Sequence, residues 1–223
     1  MPQPTPTSYA LLGLLGIRPW TAYDMVGQVR RTLQYFWPRS EAHLYAELKR
    51  LVQLGYADAE KERFGRRSRT QYSITPAGRV AMRDWLRTPP QPPALEFEGL
   101  LRVMYADQGS VTDLLEALRV TREQAEAVME QGRQRVSDAL ATGGSFPQRQ
   151  HLATLFTDFI SSYLLLIADW TDRTAKVVAT WDSTRERAIT EDERRLLAAL
   201  TAQSEIQAPA PHDVDEPGHT RQS

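Results

Sequence analysis

The residues of this 223-residue chain that are best suited to binding chemistry are arginines clustered near position 66. In the segment RFGRRSRTQYSITPAG, residues 63–78, four arginines fall within seven residues around one glycine. Guanidinium groups carry a permanent positive charge and a fork of N–H donors that fits phosphate oxygens. The cluster therefore indicates a site for a polyanion, although a basic turn that is merely solvated has the same composition.

Catalytic chemistry has little support in the rest of the sequence. The chain contains no cysteine, which excludes disulfides, zinc–thiolate sites and thiol nucleophiles. His43 and His151 have no second histidine at ligand spacing, and the other two histidines lie in the polar C-terminal segment. Asp169 and Asp172 are three residues apart beside Arg173, as on a solvated helix face. We expect neither an enzyme nor a cofactor or metal site.

Charge is divided unequally along the chain. Residues 1–87 contain 14 Lys and Arg against 7 Asp and Glu, a balance of +7. Residues 88–223 contain 13 against 21, a balance of −8, and the two parts add up to the net charge of −1. This asymmetry favours a first part that meets a polyanion and a second part that does not.

The order of the predicted helices and strands around the arginines indicates the role of the cluster. We expect a helix capped by Ser8 and ending near Ile17, a turn at RPW, and a second helix from the Thr21 cap to about Tyr35. Ser40 caps a third helix that Gly55 ends, two strands follow, and Thr75 caps a fourth helix. Three helices, a hairpin and a helix in about 80 residues are typical of a winged helix-turn-helix.

In that fold the third helix enters the major groove and the hairpin reaches the flanking backbone or minor groove. Leucines at 44, 48, 51 and 54 form the inner stripe of the third helix, and Tyr23, Met25, Val26, Val29 and Leu33 form the inner stripe of the second. The predicted DNA-binding residues are Arg39, Glu41, Ala42, His43, Tyr45, Lys49, Arg66, Arg67 and Arg69.

Four motifs of the first part resemble the PadR-like family of bacterial transcriptional regulators. They are SYALLGLLG at 8–16, AYDM at 22–25, LYAELKRLVQLGYA at 44–57 and RTQYSITPAGRVAM at 69–82. The long second part resembles the larger subgroup of that family, with a long C-terminal helical domain. The resemblance implies a sequence-specific DNA-binding regulator that is a repressor in most members, forms homodimers through these helices, and in some members releases DNA when a small aromatic effector binds.

The second part predicts long helices with more apolar surface than one chain can cover. Ser110 starts a helix of about 30 residues, with Gly132 on its inner seam, and a second long helix spans about 148–181 with two adjoining apolar seams. One seam suits a neighbour in the same chain, and the other needs a second subunit. The predicted dimerisation residues are Leu118, Met129, Val136, Leu152, Phe156, Phe159, Tyr163, Leu166 and Trp170. A twofold dimer fits a palindromic operator.

The expected architecture is mainly α (α+β), a winged helix-turn-helix followed by an all-helical dimerisation domain. Its predicted parts are residues 1–88, a proline-rich linker at 89–94, a helical domain at 95–203 and a disordered tail at 204–223. No secretory leader and no membrane span are expected, and the cytoplasm is the default compartment. Two alternatives stay open: a winged-helix module that binds protein instead of DNA, and a ligand-binding helical dimer with vestigial DNA contacts.

Overall fold

The computed structural model describes residues 3–64, 67–185 and 188–206. The chain folds as two compact units, Met1–Leu95 and Glu96–Ser223. Residues 89–94 precede the boundary, are exposed and have no regular secondary structure. Four prolines in this stretch remove backbone donors and fix φ, which prevents a helix from continuing through it.

The first unit has the order that its capping signals predict. Its elements are α1 (Pro6–Leu15), β1 (Trp20–Thr21), α2 (Ala22–Thr32), α3 (Glu41–Gln53), β2 (Ala57–Phe64), β3 (Arg67–Ile74) and α4 (Pro76–Trp85). The side chains of Thr21, Ser40 and Thr75 each accept a hydrogen bond from the backbone N–H three residues later, which confirms these three caps. Gly55 follows α3 with φ +68°, the left-handed conformation that favours glycine after a helix.

Two helix ends differ from the sequence prediction. The N-cap of α1 is Thr5, and Ser8 is the third helical residue, whose side chain completes a capping box with the Thr5 backbone N–H. The helix therefore begins earlier than the predicted Ser8 cap, because Pro6 is well suited to the first helical position. The α2 helix ends at Thr32, before the predicted Tyr35.

The core of the first unit is formed by α1, α2 and α3. Its largely aliphatic members, each at most 4% exposed, are Leu11, Leu12, Leu15, Met25, Val26, Val29, Leu44, Leu48 and Leu51. The ring of Trp85 on α4 stacks on Tyr9 of α1, with centroids 4.8 Å apart. Burial raises the pKa of the Tyr9 phenol, and the nearby Tyr56 and Asp84 raise it further. The buried leucines pack one side of α3 into this core, and the opposite face of α3 is exposed.

The sheet has three antiparallel strands in the order β1-β3-β2. The hairpin pairs Ala57 with Ile74 and continues to Phe64 opposite Arg67. The two-residue strand β1 pairs Trp20 with Tyr72 and Thr21 with Gln71, where the sequence indicated only a turn. The hairpin is therefore attached to the segment that leads into α2.

The second unit, over the residues that the structure describes, consists of helices and two short 3₁₀ turns. The helices are α5 (Glu98–Met104), α6 (Val111–Thr142), α7 (Gln150–Val178) and α8 (Glu191–Ile206), and the turns span Ala106–Gln108 and Pro147–Arg149. Ser110 caps α6 as predicted, and Gly143 ends it with φ +80°. The α8 helix continues past Ser204, where a disordered tail was expected to begin, and residues 207–223 lie outside the described part of the chain.

The α6 and α7 helices pack against each other through two buried clusters. One cluster joins Leu114 and Leu118 to Val178, and the other joins Ala125 to Ile160 and Leu164. Because the start of α6 meets the end of α7, the two helices form an antiparallel pair. An ion pair between the side chains of Arg122 and Asp172 connects them between the two clusters. Further along α6, Val136, which is among the predicted dimerisation residues, and Leu140 are 41% and 82% exposed.

By length and composition, the segment Pro147–Val178 resembles a membrane span, with a mean hydropathy of 1.5 over its most apolar window. It was not predicted from the sequence because polar residues interrupt every continuous apolar run. One such helix is weak evidence for a membrane, since long packed helices of other proteins share this composition. Only 6% of the window is buried within the chain.

Candidate nucleic-acid interface

The exposed face of α3 carries every residue that the sequence placed there. Glu41, Ala42, His43, Tyr45 and Lys49 are all exposed. On the opposite side, Leu44, Leu48 and Leu51 are at most 1% exposed, and Leu54, just after the helix, is half-buried. A helix of 13 residues is about 20 Å long. The structure thus presents a polar helix face of the length that a major groove accommodates.

The α2 helix extends this surface on one side of α3. A shallow groove of about 160 Å³ lies between the two helices, and it is lined by Tyr23, Asp24, Val26, Gly27, Arg30, Arg31, Glu41 and Tyr45. Within it, Arg30 Nη1 donates a hydrogen bond of 2.7 Å to Glu41 Oε1. Both side chains are more than half exposed. The groove therefore combines two arginines, two phenols and two carboxylates, of which the Glu41 carboxylate is paired with Arg30.

Tyr23 belongs to this groove and not to the core, which corrects the sequence prediction. Its side chain is 80% exposed, whereas Met25, Val26 and Val29 are buried. At about 100° per residue, Tyr23 lies roughly 100° from the centre of the buried stripe, so the helical period itself carried this information. The exposed phenol is a hydrogen-bond donor that sequence reasoning missed.

A buried carboxylate on the inner side of α3 was also missed by the sequence analysis. Glu47 is only 2% exposed. Its Oε2 accepts hydrogen bonds from Thr5 Oγ1 at 2.9 Å and from Ser8 Oγ, and its Oε1 lies 3.4 Å from Arg50 Nε. The same two hydroxyls accept the N–H groups of the α1 capping box, so each one donates to Glu47 and accepts from backbone. The network fixes α3 to the start of α1.

The structure describes some of the arginine candidates completely and others only in part. The Arg39 guanidinium lies 4.5 Å from the centre of the Trp37 ring and donates to the Pro38 carbonyl oxygen at 2.6 Å. Arg69 is exposed on β3, opposite Glu62 in the strand register. Arg66 lies outside the described residues, and for Arg67, the first residue of β3, the structure describes the backbone but not the side chain.

In the second unit, a separate apolar surface runs along α7. Its exposed members are Leu152, Leu155, Phe156, Phe159, Leu165 and Leu166, between 37% and 69% exposed. Met129, Tyr163 and Trp170 are half-buried, and burial raises the pKa of the Tyr163 phenol. Leu118 is 2% exposed inside the α6–α7 cluster, so it must be removed from the predicted dimer surface. Trp170 meets Phe97 edge-on, with centroids 6.1 Å apart.

Within the part of the chain that the structure describes, no group of three or more His, Asp or Glu residues could hold a metal ion.

Comparison with known proteins relates the first of these surfaces, which lies in the first unit, to a known family. Residues 11–84 match the model of the transcriptional regulator PadR-like family. Residues 11–84 are similar to this family, and we call them the PadR-like domain. The resemblance inferred from the four motifs is confirmed, and the matched region contains α2, α3, the hairpin and nearly all of α4.

A curated relative agrees with this family. The chain is 29% identical over 99 residues to the negative transcriptional regulator PadR of Bacillus subtilis. The match covers 44% of this chain and 54% of that protein, so it spans about half the length of the relative.

Solved structures extend the likeness into the second unit. The crystal structure of Bacillus subtilis PadR in complex with operator DNA has a TM-score of 0.68 and 21% identity, and it covers 79% of this chain and 99% of that one. The structure of the same protein with p-coumaric acid has a TM-score of 0.58 and 20% identity, with the same coverage of 79% and 99%. These likenesses confirm the predicted fold, a winged helix followed by a helical region.

Proposed function

We propose that this chain is a sequence-specific DNA-binding transcriptional regulator. The observation that carries the proposal is the polar, exposed face of α3, held on a leucine core inside the PadR-like domain. The balance of +7 over residues 1–87 supports a polyanionic partner. A winged-helix module that binds protein would need an apolar outer face on α3, and the exposed residues there are mostly polar or charged.

In the proposed complex, α3 enters the major groove and the hairpin contacts the flanking backbone or minor groove. His43, Tyr45 and Lys49 face the base edges and phosphates from α3. Arg39, Arg66, Arg67 and Arg69 contact phosphates around it. The exposed phenol of Tyr23 adds a donor from α2, the helix that crosses the backbone in helix-turn-helix proteins.

The proposed assembly is a homodimer formed through the helical unit. The α6–α7 pair leaves many large apolar side chains of α7 exposed, and large exposed apolar surfaces are uncommon on monomers. A second copy covers these side chains with the same residues, since twofold interfaces are self-complementary. The dimer then presents two α3 helices to a palindromic operator.

The proposed mode of action is repression, relieved by a small aromatic effector. The relative in Bacillus subtilis is named a negative transcriptional regulator, and one of its structures contains p-coumaric acid. Aromatic walls with few polar groups suit planar ligands, and the second unit contains several aromatic side chains that could form them. A regulator of this kind works in the cytoplasm and carries out no catalysis of its own.

The salt dependence of DNA binding tests the central claim. If the dimer neutralises about 8 phosphates, log K falls against log[salt] with a slope near −7. Arg66→Ala with Arg67→Ala in both subunits should flatten the slope by about 2 to 4 units. Arg133→Ala with Arg173→Ala, which removes the same charge from the helical unit, should leave it unchanged.

Filter binding with sheared genomic DNA at low salt gives the first measurement. An unchanged slope in the Arg66 and Arg67 variant would remove the hairpin from the proposed interface, and failure of the wild-type protein to bind any duplex would overturn the proposed function. Tryptophan quenching by aromatic acids then tests the effector, which is a separate question from DNA binding.

A further inference from the structure

The pair formed by Arg30 and Glu41 places a negative charge on a surface that is proposed to meet a polyanion. Arg30 lies on α2 and Glu41 is the first residue of α3, so their 2.7 Å hydrogen bond connects the two helices of the helix-turn-helix. The side chains are 64% and 53% exposed. An ion pair this exposed contributes little to folding stability. We therefore examine its role in DNA recognition.

The position of Glu41 determines what its carboxylate can accept. Residues at the N-terminal end of a recognition helix are those that contact base edges. A carboxylate accepts hydrogen bonds but donates none, and it is repelled by phosphate. In the major groove the available donors are the exocyclic amines of cytosine, N4, and adenine, N6. Glu41 therefore favours a base that presents an amine.

The pairing with Arg30 leaves one carboxylate oxygen for such a base. Arg30 binds Oε1, and among the described residues no hydrogen bond reaches Oε2. Cytosine fits this single acceptor better than adenine, because adenine presents the N7 acceptor beside its amine and would repel a carboxylate there. Arg30 fixes the carboxylate's direction and offsets its charge against the DNA.

We propose that Glu41, oriented by Arg30, selects cytosine at one position of each half-site. The inference rests on the proposed function, since it requires a DNA-binding α3. It adds a specificity-determining residue, Glu41, and a positioning residue, Arg30, which was absent from the surface predicted from the sequence.

Binding selection from a randomised duplex tests the assignment, because it samples every base at every position of the operator. The wild-type dimer should enrich a palindrome with a cytosine position in each half-site. Glu41→Ala should relax that position by about tenfold and leave the others unchanged. Glu41→Gln should change it from cytosine to adenine, because an amide pairs with adenine N6 and N7 together. These two substitutions thus have different expected outcomes at one position.

Arg30→Ala separates positioning from charge. It should relax the same cytosine position, whereas loss of a phosphate contact alone would lower affinity for all sequences equally. Arg31→Ala is the matched control, since Arg31 is a neighbouring exposed cation of α2 that lines the same groove. It should leave every base preference unchanged.

The results also separate this inference from the proposed function. If the wild-type protein enriches a motif in which Glu41→Ala and Glu41→Gln change no position, the inference is wrong and the regulator remains. If Arg30→Ala leaves the cytosine preference intact, the positioning role is wrong. If the wild-type protein enriches no sequence at all, the proposed function and the inference fail together.

Discussion

Replacing Gly132 with alanine should have opposite effects on the folding of one chain and on its self-association. Gly132 lies inside α6 between Met129 and Val136, both members of the proposed dimer surface. A Cβ built at this position has no neighbouring atom of the described residues within 4 Å. Glycine in a helix interior costs about 1 kcal/mol relative to alanine. The free energy of unfolding of each chain should therefore rise by about 1 kcal/mol.

The dimer should respond in the other direction. In the proposed dimer, we expect the backbone of a second copy to approach Gly132, which lies between two residues of the proposed dimer surface. An added methyl group at a close-packed contact costs about 1 to 3 kcal/mol. The dissociation constant of the dimer should increase by about 5-fold to 150-fold.

Two measurements separate these effects. Urea unfolding followed by circular dichroism at low protein concentration gives the stability of the chain, and sedimentation velocity across a concentration series gives the dissociation constant. Gly27→Ala is the matched control, because Gly27 also lies inside a helix but in the first unit. Among the described residues, its added Cβ meets only the Arg31 guanidinium, at 3.8 Å. It should stabilise the chain without affecting self-association.

The reasoning would be refuted if Gly132→Ala and Gly27→Ala gave the same dissociation constant as the wild-type protein. The glycine would then only loosen α6, and the second copy would pack elsewhere along the apolar surface.

Three other predictions follow from the packing and charge of single residues. Phe159→Asp places a charge in the proposed dimer surface and should give monomers at micromolar concentration with an unchanged helical circular dichroism spectrum, so a dimer of wild-type strength would contradict the interface. Glu47→Ala leaves the Thr5 and Ser8 hydroxyls without their buried acceptor and should lower the free energy of unfolding of the PadR-like domain by about 2 to 3 kcal/mol; a loss below about 0.5 kcal/mol in urea unfolding would show the network to be unimportant. The hydrogen bonds from Ser110 lower the pKa of the Asp113 carboxyl. The ionised carboxyl therefore stabilises the fold at neutral pH, and this stabilisation is lost as the pH falls below about 4. The melting temperature of Asp113→Asn should fall less steeply in acid than that of the wild-type protein.

Local signals made the bounds of most elements predictable. Ser40 and Gly55 enclose α3 because a cap hydroxyl and a left-handed glycine act within one helical turn. The exposed side of α3 followed from the spacing of its leucines. Ser110 likewise predicted the start of α6 correctly. Caps and helix faces depend on residues close in sequence, and so they can be predicted from the sequence.

The errors concern contacts between residues distant in sequence. The pairing of β1 with β3 joins residues about 50 positions apart, and two residues carry no periodic signal. A glutamate in a helix is usually solvated, and the hydroxyls of Thr5 and Ser8 from α1, together with the nearby Arg50, make the burial of Glu47 tolerable. The α8 helix is different, because a local signal for it exists: Thr190 accepts the backbone N–H of Glu193, and this pair of residue types could have predicted the helix start.

The short strand β1 has a consequence for engineering this protein. Thr21 pairs with Gln71 in the sheet, and its side chain also caps α2 by accepting the N–H of Asp24. Strand and helix thus share one residue, with no spacer between them. A hairpin grafted from a relative with a different DNA preference would therefore need its own equivalents of Trp20 and Thr21. Without them, the grafted strands would displace the helix-turn-helix.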